Sequence, residues 1–305
     1  KTAALLNRCW GKVLVIDEAY ALNDMYGRQA IDQLVGMVHG APGEDIAVIL
    51  IGYEKEMTTM FQDVNPGLSR RFNSKIDFED FTQQELADIF RGLCDDHDCP
   101  PDSENVVAVA ARQVARGRGR RGFGNAGAVR VLFEKAYGRA LDRDKNAETL
   151  TLIDILGPRP DFNHNPRLKA AIDELNKLTG LEGVKQSVAK LVKLAGTNYD
   201  RELEGSKPFE MPLNRVFLGN PGCGKTTVAK IYGRILKELG LLSDGKCELK
   251  QPNDLTGSVV GETKNKTAAL LNRCWGKVLV IDEAYALNDM YGRQAIDQLV
   301  GMVHG

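Results

Sequence analysis

RVFLGNPGCGKTTVAKIYGRIL, residues 215–236, decides how this chain is read. The apolar run Val216 to Leu218 predicts a strand, GNPGCGKT follows it, and Val228, Ile231 and Ile235 then recur at helical spacing. A glycine-rich turn between a strand and a helix N-terminus is a phosphate-binding loop. Its glycines let consecutive backbone N–H groups turn toward phosphate oxygens, Lys225 reaches the terminal phosphates, and Thr226 places a hydroxyl on Mg²⁺. The candidate nucleotide contacts are Gly219, Asn220, Pro221, Gly222, Cys223, Gly224, Lys225, Thr226 and Thr227.

A second motif supports the first. KVLVIDEA, residues 277–284, has four apolar residues ending in two carboxylates, the pattern of a buried parallel strand with acids at its C-terminal end. Asp282 there can hold Mg²⁺, directly or through water, and Glu283 can polarise the water that attacks a γ-phosphate. Loop and acidic strand together predict nucleotide hydrolysis, with ATP and Mg²⁺ as cofactors.

The forty residues 1–40, KTAALLNRCWGKVLVIDEAYALNDMYGRQAIDQLVGMVHG, recur unchanged as residues 266–305. The expected order of parts is therefore the back of one unit followed by the front of the next, from a tandem array or a permuted chain. One unit is expected to run from about Asn165 to Asn265 and to resume at Lys1. Asp17 and Glu18 copy Asp282 and Glu283, and no phosphate loop precedes them. They are catalytic candidates where another chain supplies the loop. Two copies compete for one place in a core, so adjacent chains are expected to complete each other.

Composition bounds the class. With 43% hydrophobic and 27% charged residues and a net charge of −1, the chain reads as globular, with no apolar run of the roughly 20 residues that a membrane helix needs. The expected location is the cytosol, with the nucleus as an alternative. Six cysteines without a CxxC fit a reduced compartment better than a disulfide framework. The basic, glycine-rich residues 115–125 stand alone in a chain of this charge, so nucleic acid is not an expected partner.

GNPGCGKTTVA, VLVIDEAYAL, VILIGYEKEM, NPGLSRRF and FGNAGAVRVLFEKA occur in family order once the permutation is undone. On these motifs the chain resembles the AAA+ ATPases of the CbbX/CfxQ branch, which includes red-type Rubisco activases and the stage V sporulation protein K group. The resemblance implies a P-loop three-layer α/β core with a parallel sheet and a small all-α lid. In NPGLSRRF it places the arginine that reaches a neighbour's γ-phosphate at Arg71, with Arg70 as the alternative. The second sensor arginine matches Arg130, on a helix whose apolar face runs through Val129, Leu132, Phe133 and Ala136. Leu181, Gly183 and Val184 match the base-contacting entry to the core.

Two positions depart from the family pattern. Tyr53 and Glu54 stand where many members have a polar first sensor, and Val259 and Val260 stand where the pore loop carries an aromatic residue. The resemblance implies a homo-oligomeric ring or helix of about six units per turn acting on an unidentified protein client. The alternative is a nucleotide-switched scaffold or filament with slow hydrolysis and no threading, which the valines favour.

The expected divisions are residues 1–81 as the back of a core, 82–157 as the lid, 158–168 as a linker and 169–305 as the front of the next core. Thr82 with Glu85 reads as a capping box opening the first lid helix. Further lid helices are expected near 104–115 and 126–143, two helices flank TGLEGVK, and SKIDF, residues 74–78, is expected as a strand.

Overall fold

The computed structural model describes residues 1–38, 45–119, 122–162, 165–257 and 262–303. The chain divides into two compact units, Lys1–Glu79 and Asp80–Gly305. Val259 and Val260 lie outside the described residues.

The first unit is built on a parallel strand pair, β1 (Lys12–Ile16) and β2 (Ile46–Leu50), in the register Lys12↔Ile46 to Ile16↔Leu50. Helices α1 (Thr2–Arg8), α2 (Met25–Met37), α3 (Glu54–Asp63) and α4 (Pro66–Arg71) surround it. Leu6, Ile31, Leu34, Met60 and Leu68 form the core, and Leu14 and Ile16 of β1 pack against it from one face. The alternate residues Val13 and Val15 project to the other face, as the two-residue period of a strand requires, and are 58% and 51% exposed.

The second unit opens with a helical bundle of α5 (Gln83–Asp96), α6 (Glu104–Ala115), α7 (Asn125–Arg143) and α8 (Leu152–Leu156). The expected capping box is formed: Thr82 Oγ1 accepts from the Glu85 N–H, and the Glu85 carboxylate accepts from the Thr82 N–H. Leu86, Phe90, Val107, Val129, Phe133 and Ala136 are buried together, so the apolar stripe read on α7 is its packing face.

Asp154 fixes the end of this bundle. Although only 2% exposed, it accepts from Arg143 at 3.0 Å and from the Thr151 N–H at 2.9 Å. Burial by itself raises its pKa, but the bonds from Arg143 and Thr151 outweigh that and hold it below the usual carboxylate range. The folded value lies below the unfolded one. Its contribution to stability is therefore present above the unfolded pKa and is lost as pH falls through the folded value. Asp154→Ala is expected to cost about 1.5–3 kcal/mol, by loss of charge-assisted hydrogen bonds. Thermal melts from pH 7 down to 3 check this, because the variant lacks that part of the parent's acid sensitivity.

Behind the bundle follow α9 (Pro166–Lys177), α10 (Glu182–Leu203), α11 (Lys225–Glu238), β3 (Cys247–Lys250), α12 (Pro252–Leu255), α13 (Glu262–Arg273), β4 (Val278–Ile281) and α14 (Met290–Val303). The two helices expected around TGLEGVK are α9 and α10. β3 and β4 pair in parallel from Cys247↔Val278 to Lys250↔Ile281. Leu168, Leu175, Leu191, Ile231 and Ile235 make one buried cluster, and Leu255, Leu270, Cys274, Leu287 and Ala295 make another.

In the stretch 158–168, expected as a linker, Arg159 is held to α10, as is Gly157 just before it. Arg159 bonds Asp200 through two nitrogens, and the Tyr199 hydroxyl donates to the Gly157 carbonyl at 2.9 Å.

Among the described residues, two expected strands are absent. Residues 216–218 form no strand, and Val216 and Leu218 are 82% and 89% exposed. Residues 74–78 likewise form no strand, with Phe78 95% exposed. Apolar content gives strand propensity, but a strand exists only where a neighbour's edge takes up its backbone groups. Each described sheet has two strands, and neither segment pairs with them.

Candidate nucleotide site

The phosphate loop runs into the N-terminus of α11, whose first residue is Lys225. Gly219, Gly222 and Gly224 have φ of 156°, 80° and 86°. At Gly222 and Gly224 these lie in the left-handed region that a side chain disfavours, so glycine is the residue that lets the loop turn there. Lys225 Nζ donates to the carbonyls of Gly219 at 2.9 Å and Asn220 at 3.1 Å, and lies 3.9 Å from Cys223 Sγ. The ammonium thus closes over the mouth of the loop, where an anionic phosphate would compete with neutral carbonyls for it. Thr226 follows in the first helical turn, with Thr227 exposed beside it. Val228, Ile231 and Ile235 are buried and anchor the helix that presents these groups.

Asp282 and Glu283 follow β4. The Glu283 N–H donates to Asp282 Oδ1 at 3.0 Å, and Glu283 takes φ 52° in the left-handed region. The copy in the first unit repeats this: the Glu18 N–H donates to Asp17 Oδ1 at 2.8 Å, with Glu18 at φ 49°. A non-glycine residue in this region costs on the order of 1–3 kcal/mol and is held by its surroundings. The forty-residue repeat thus carries the same strained elbow twice, each time turning a glutamate outward from the strand end. The Glu283 carboxylate, first among its neighbours, pushes the Tyr285 hydroxyl pKa up. Asp17 and Glu18 have no phosphate loop in the unit Lys1–Glu79.

Arg70 and Arg71 end α4 of the first unit. Arg71 is engaged, with Nε donating to the Val38 carbonyl at 2.8 Å and a terminal nitrogen to the Gly67 carbonyl at 3.1 Å. Arg70 is exposed. Tyr53 caps the N-terminus of α3 and its ring lies 6.0 Å from that of Tyr20, while Glu54 begins the helix.

In the second unit Arg130 is exposed near the start of α7, beside buried Val129. Gly183 and Val184 fall in the first turn of α10, after Leu181 at φ 63°, and Val184 packs against the cluster that carries α11. The bonds of Lys225 described above stay within the loop, and among the described residues no hydrogen bond joins it to Asp282 or Glu283.

The sequence reading missed the two left-handed glutamates, which nothing in DEAYAL announces. It also missed a clamp at the entry to the bundle. Asn125 donates to Asp80 at 2.7 Å and accepts from the Phe81 N–H at 3.0 Å, and Asp80 also accepts from the Gly119 N–H. These bonds, that of Asn125 first, hold the Asp80 carboxyl below its ordinary range. The clamp spans 45 residues of sequence. It fixes the start of the helix that carries Arg130.

A glycine-rich loop at a helix N-terminus and an acidic strand end are features of P-loop nucleotide-binding proteins. Residues 215–305 match the profile of the "ATPase family associated with various cellular activities (AAA)". The curated relatives of the chain fit the CbbX/CfxQ branch. Stage V sporulation protein K of Bacillus subtilis is 36% identical over 137 residues, 44% of this chain and 42% of that protein. The chloroplastic cbbX homolog of Guillardia theta is 35% identical over 153 residues, 48% of this chain and 41% of that protein. The chloroplastic ribulose bisphosphate carboxylase/oxygenase activase of Cyanidioschyzon merolae is 38% identical over 144 residues, 44% of this chain and 47% of that protein. The chain thus spans less than half the length of these relatives. The fold class is that of an α/β AAA core with a helical lid, present here as two parallel strand pairs and one bundle. No described helix is long and apolar enough to cross a membrane.

Proposed function

We propose that this chain binds ATP with Mg²⁺ at Gly219 to Thr227 and hydrolyses it where neighbouring units meet, using turnover to reorient those units and rearrange a protein client. The observation that carries this reading is the loop at the head of α11, where Lys225 already lies against the carbonyls of Gly219 and Asn220.

The residues suit a bound metal nucleotide. Backbone N–H groups at a helix N-terminus favour phosphate. The Thr226 hydroxyl and the Asp282 carboxylate are hard oxygen donors of the kind Mg²⁺ takes, and Mg²⁺ would neutralise charge on the β- and γ-phosphate oxygens. Glu283 accepts a proton from the attacking water, Arg130 meets the nucleotide from the lid, and Gly183 and Val184 line the base. An arginine from the Arg70–Arg71 pair reaches the γ-phosphate held by a neighbour, which makes the active form a homo-oligomer.

ATP turnover per chain, measured against protein concentration alongside mass photometry, tests this. Turnover per chain that rises as assemblies form, and rises again with an unfolded polypeptide, is the expected result. Nucleotide-dependent assembly with slow turnover and no polypeptide stimulation would replace the motor with a nucleotide-switched scaffold.

A further inference from the structure

The helix α5 ends on a pair of thiols. His97 caps it and Asp98 follows at φ 49°. The Asp98 N–H donates to the Asp95 carbonyl at 3.2 Å, and the Cys99 N–H donates to the Cys94 carbonyl at 3.0 Å. Two such bonds around one left-handed residue make the Schellman ending of a helix, in which the side chains at the two ends of the longer bond meet on the apolar side. Here both are cysteines. Cys94 and Cys99 are 0% and 1% exposed, lie in one apolar cluster and are free thiols. Standard bond lengths with a 3.0 Å hydrogen bond between the two backbones leave their Cα atoms no more than about 6.5 Å apart. That lies inside the roughly 4.4–6.8 Å that a disulfide spans.

With the turn closed the pair is inert. Burial, and after it the charge of Cys99, pushes the Cys94 thiol up to about 12. Burial and then the Asp154 charge push the Cys99 thiol up as well, with Arg143 offsetting part. A buried thiol of this kind is a poor nucleophile. The cover over the pair is the exposed turn of residues 95–98. Glycine is the usual residue at the left-handed position of this ending, and Asp98 brings a Cβ into it, so the turn is a strained point in the bundle. The same segment is tied to the far end of the bundle. The Leu150 N–H donates to the Pro100 carbonyl at 3.0 Å and the Asp102 N–H to the Leu150 carbonyl at 2.9 Å, just before α8.

We infer that Cys94 and Cys99 are a peroxide-sensitive staple: when the turn 95–98 opens they close to an intrachain disulfide, which then fixes the end of α5 to the segment that leads into α8. In the opened turn one thiolate attacks hydrogen peroxide, the O–O bond breaks, a sulfenic acid forms and the departing hydroxide leaves as water. The second sulfur displaces the hydroxyl of that sulfenic acid, an S–S bond forms and a second water leaves. Two electrons pass from the two sulfurs to one peroxide, and no other oxidant is needed. The backbone bond between the two residues keeps the second thiol beside the first, which favours the disulfide over further oxidation of a single sulfur.

The test needs neither nucleotide nor assembly, so it stands apart from the proposed ATPase. Residues 92–112, between Arg91 and Arg112, carry both cysteines in one tryptic peptide. The full chain is treated with hydrogen peroxide, quenched, unfolded, alkylated and digested. The expected peptide is unalkylated and lighter by two hydrogens, and takes two alkyl groups when the protein is reduced first. The oxidised chain is expected to melt about 4 °C or more above the untreated one, because a cross-link restricts the unfolded chain, and reduction reverses the rise. Cys99→Ala treated in the same way should show neither change. Recovery of the peptide with both cysteines alkylated while exposed Cys223 is oxidised overturns the proposal. So does a peptide that has gained oxygen, a melting temperature that is unchanged or lowered, or an equal rise in Cys99→Ala.

Discussion

Arg70→Ala is expected to lower kcat for ATP about 10³–10⁵-fold, the range over which an arginine supplied to a transferring phosphoryl group acts. The exposure of Arg70 and the engagement of its neighbour give the reason. Arg71 commits its guanidinium to the Val38 and Gly67 carbonyls, tying α4 to the end of α2, whereas Arg70 points to solvent from the same helix end. A guanidinium keeps its charge at any working pH and spreads it over a planar fork, so it can follow charge developing on phosphate oxygens. Arg71→Ala should act first on stability, costing about 1–3 kcal/mol through the carbonyls it leaves unpaired. Steady-state kinetics and thermal melts of the two single variants check this. Loss of turnover in Arg71→Ala at unchanged melting temperature, with Arg70→Ala active, would exchange the two roles.

The second large effect concerns the glutamates of the strained elbows. Glu283→Gln combined with Glu18→Gln should lower kcat by about 10²–10⁴-fold, the usual contribution of a positioned general base. ATP affinity should persist, because the carboxylate acts on water and the nucleotide is held by the loop. Both copies must change, since each carries the same bond from the glutamate N–H to the preceding aspartate and the same left-handed backbone. Equilibrium binding of a fluorescent ATP analogue, set beside turnover, separates the steps. Lost binding, or undiminished turnover, would remove these glutamates from the proposed role.

Features set by short-range rules were legible in the sequence. The helix behind the phosphate loop follows from Val228, Ile231 and Ile235 at helical spacing, and the bundle's opening turn from Thr82 and Glu85. The strand before Asp282 follows from an uninterrupted apolar run. What escaped depends on distant partners. Residues 216–218 and 74–78 have strand composition, but pairing is a property of two segments, and among the described residues the second is missing for each. The clamp of Asn125 on Asp80 and the pinning of Arg159 by Asp200 join residues 45 and 41 positions apart, beyond any local pattern. The left-handed glutamates escaped because local propensity argues against that conformation. The repeat itself was fully visible in sequence.

Mixing two inactive chains tests the central claim, hydrolysis at a site shared between units, most directly. Lys225→Ala lacks the phosphate-loop ammonium and Arg70→Ala lacks the exposed arginine, so each alone should be silent. In a mixed assembly, the intact loop of the Arg70→Ala chain can meet the intact Arg70 of a Lys225→Ala neighbour. ATP turnover that appears on mixing, and scales with mixed complexes counted by mass photometry, is the predicted result. A mixture that assembles yet stays silent would contradict the account.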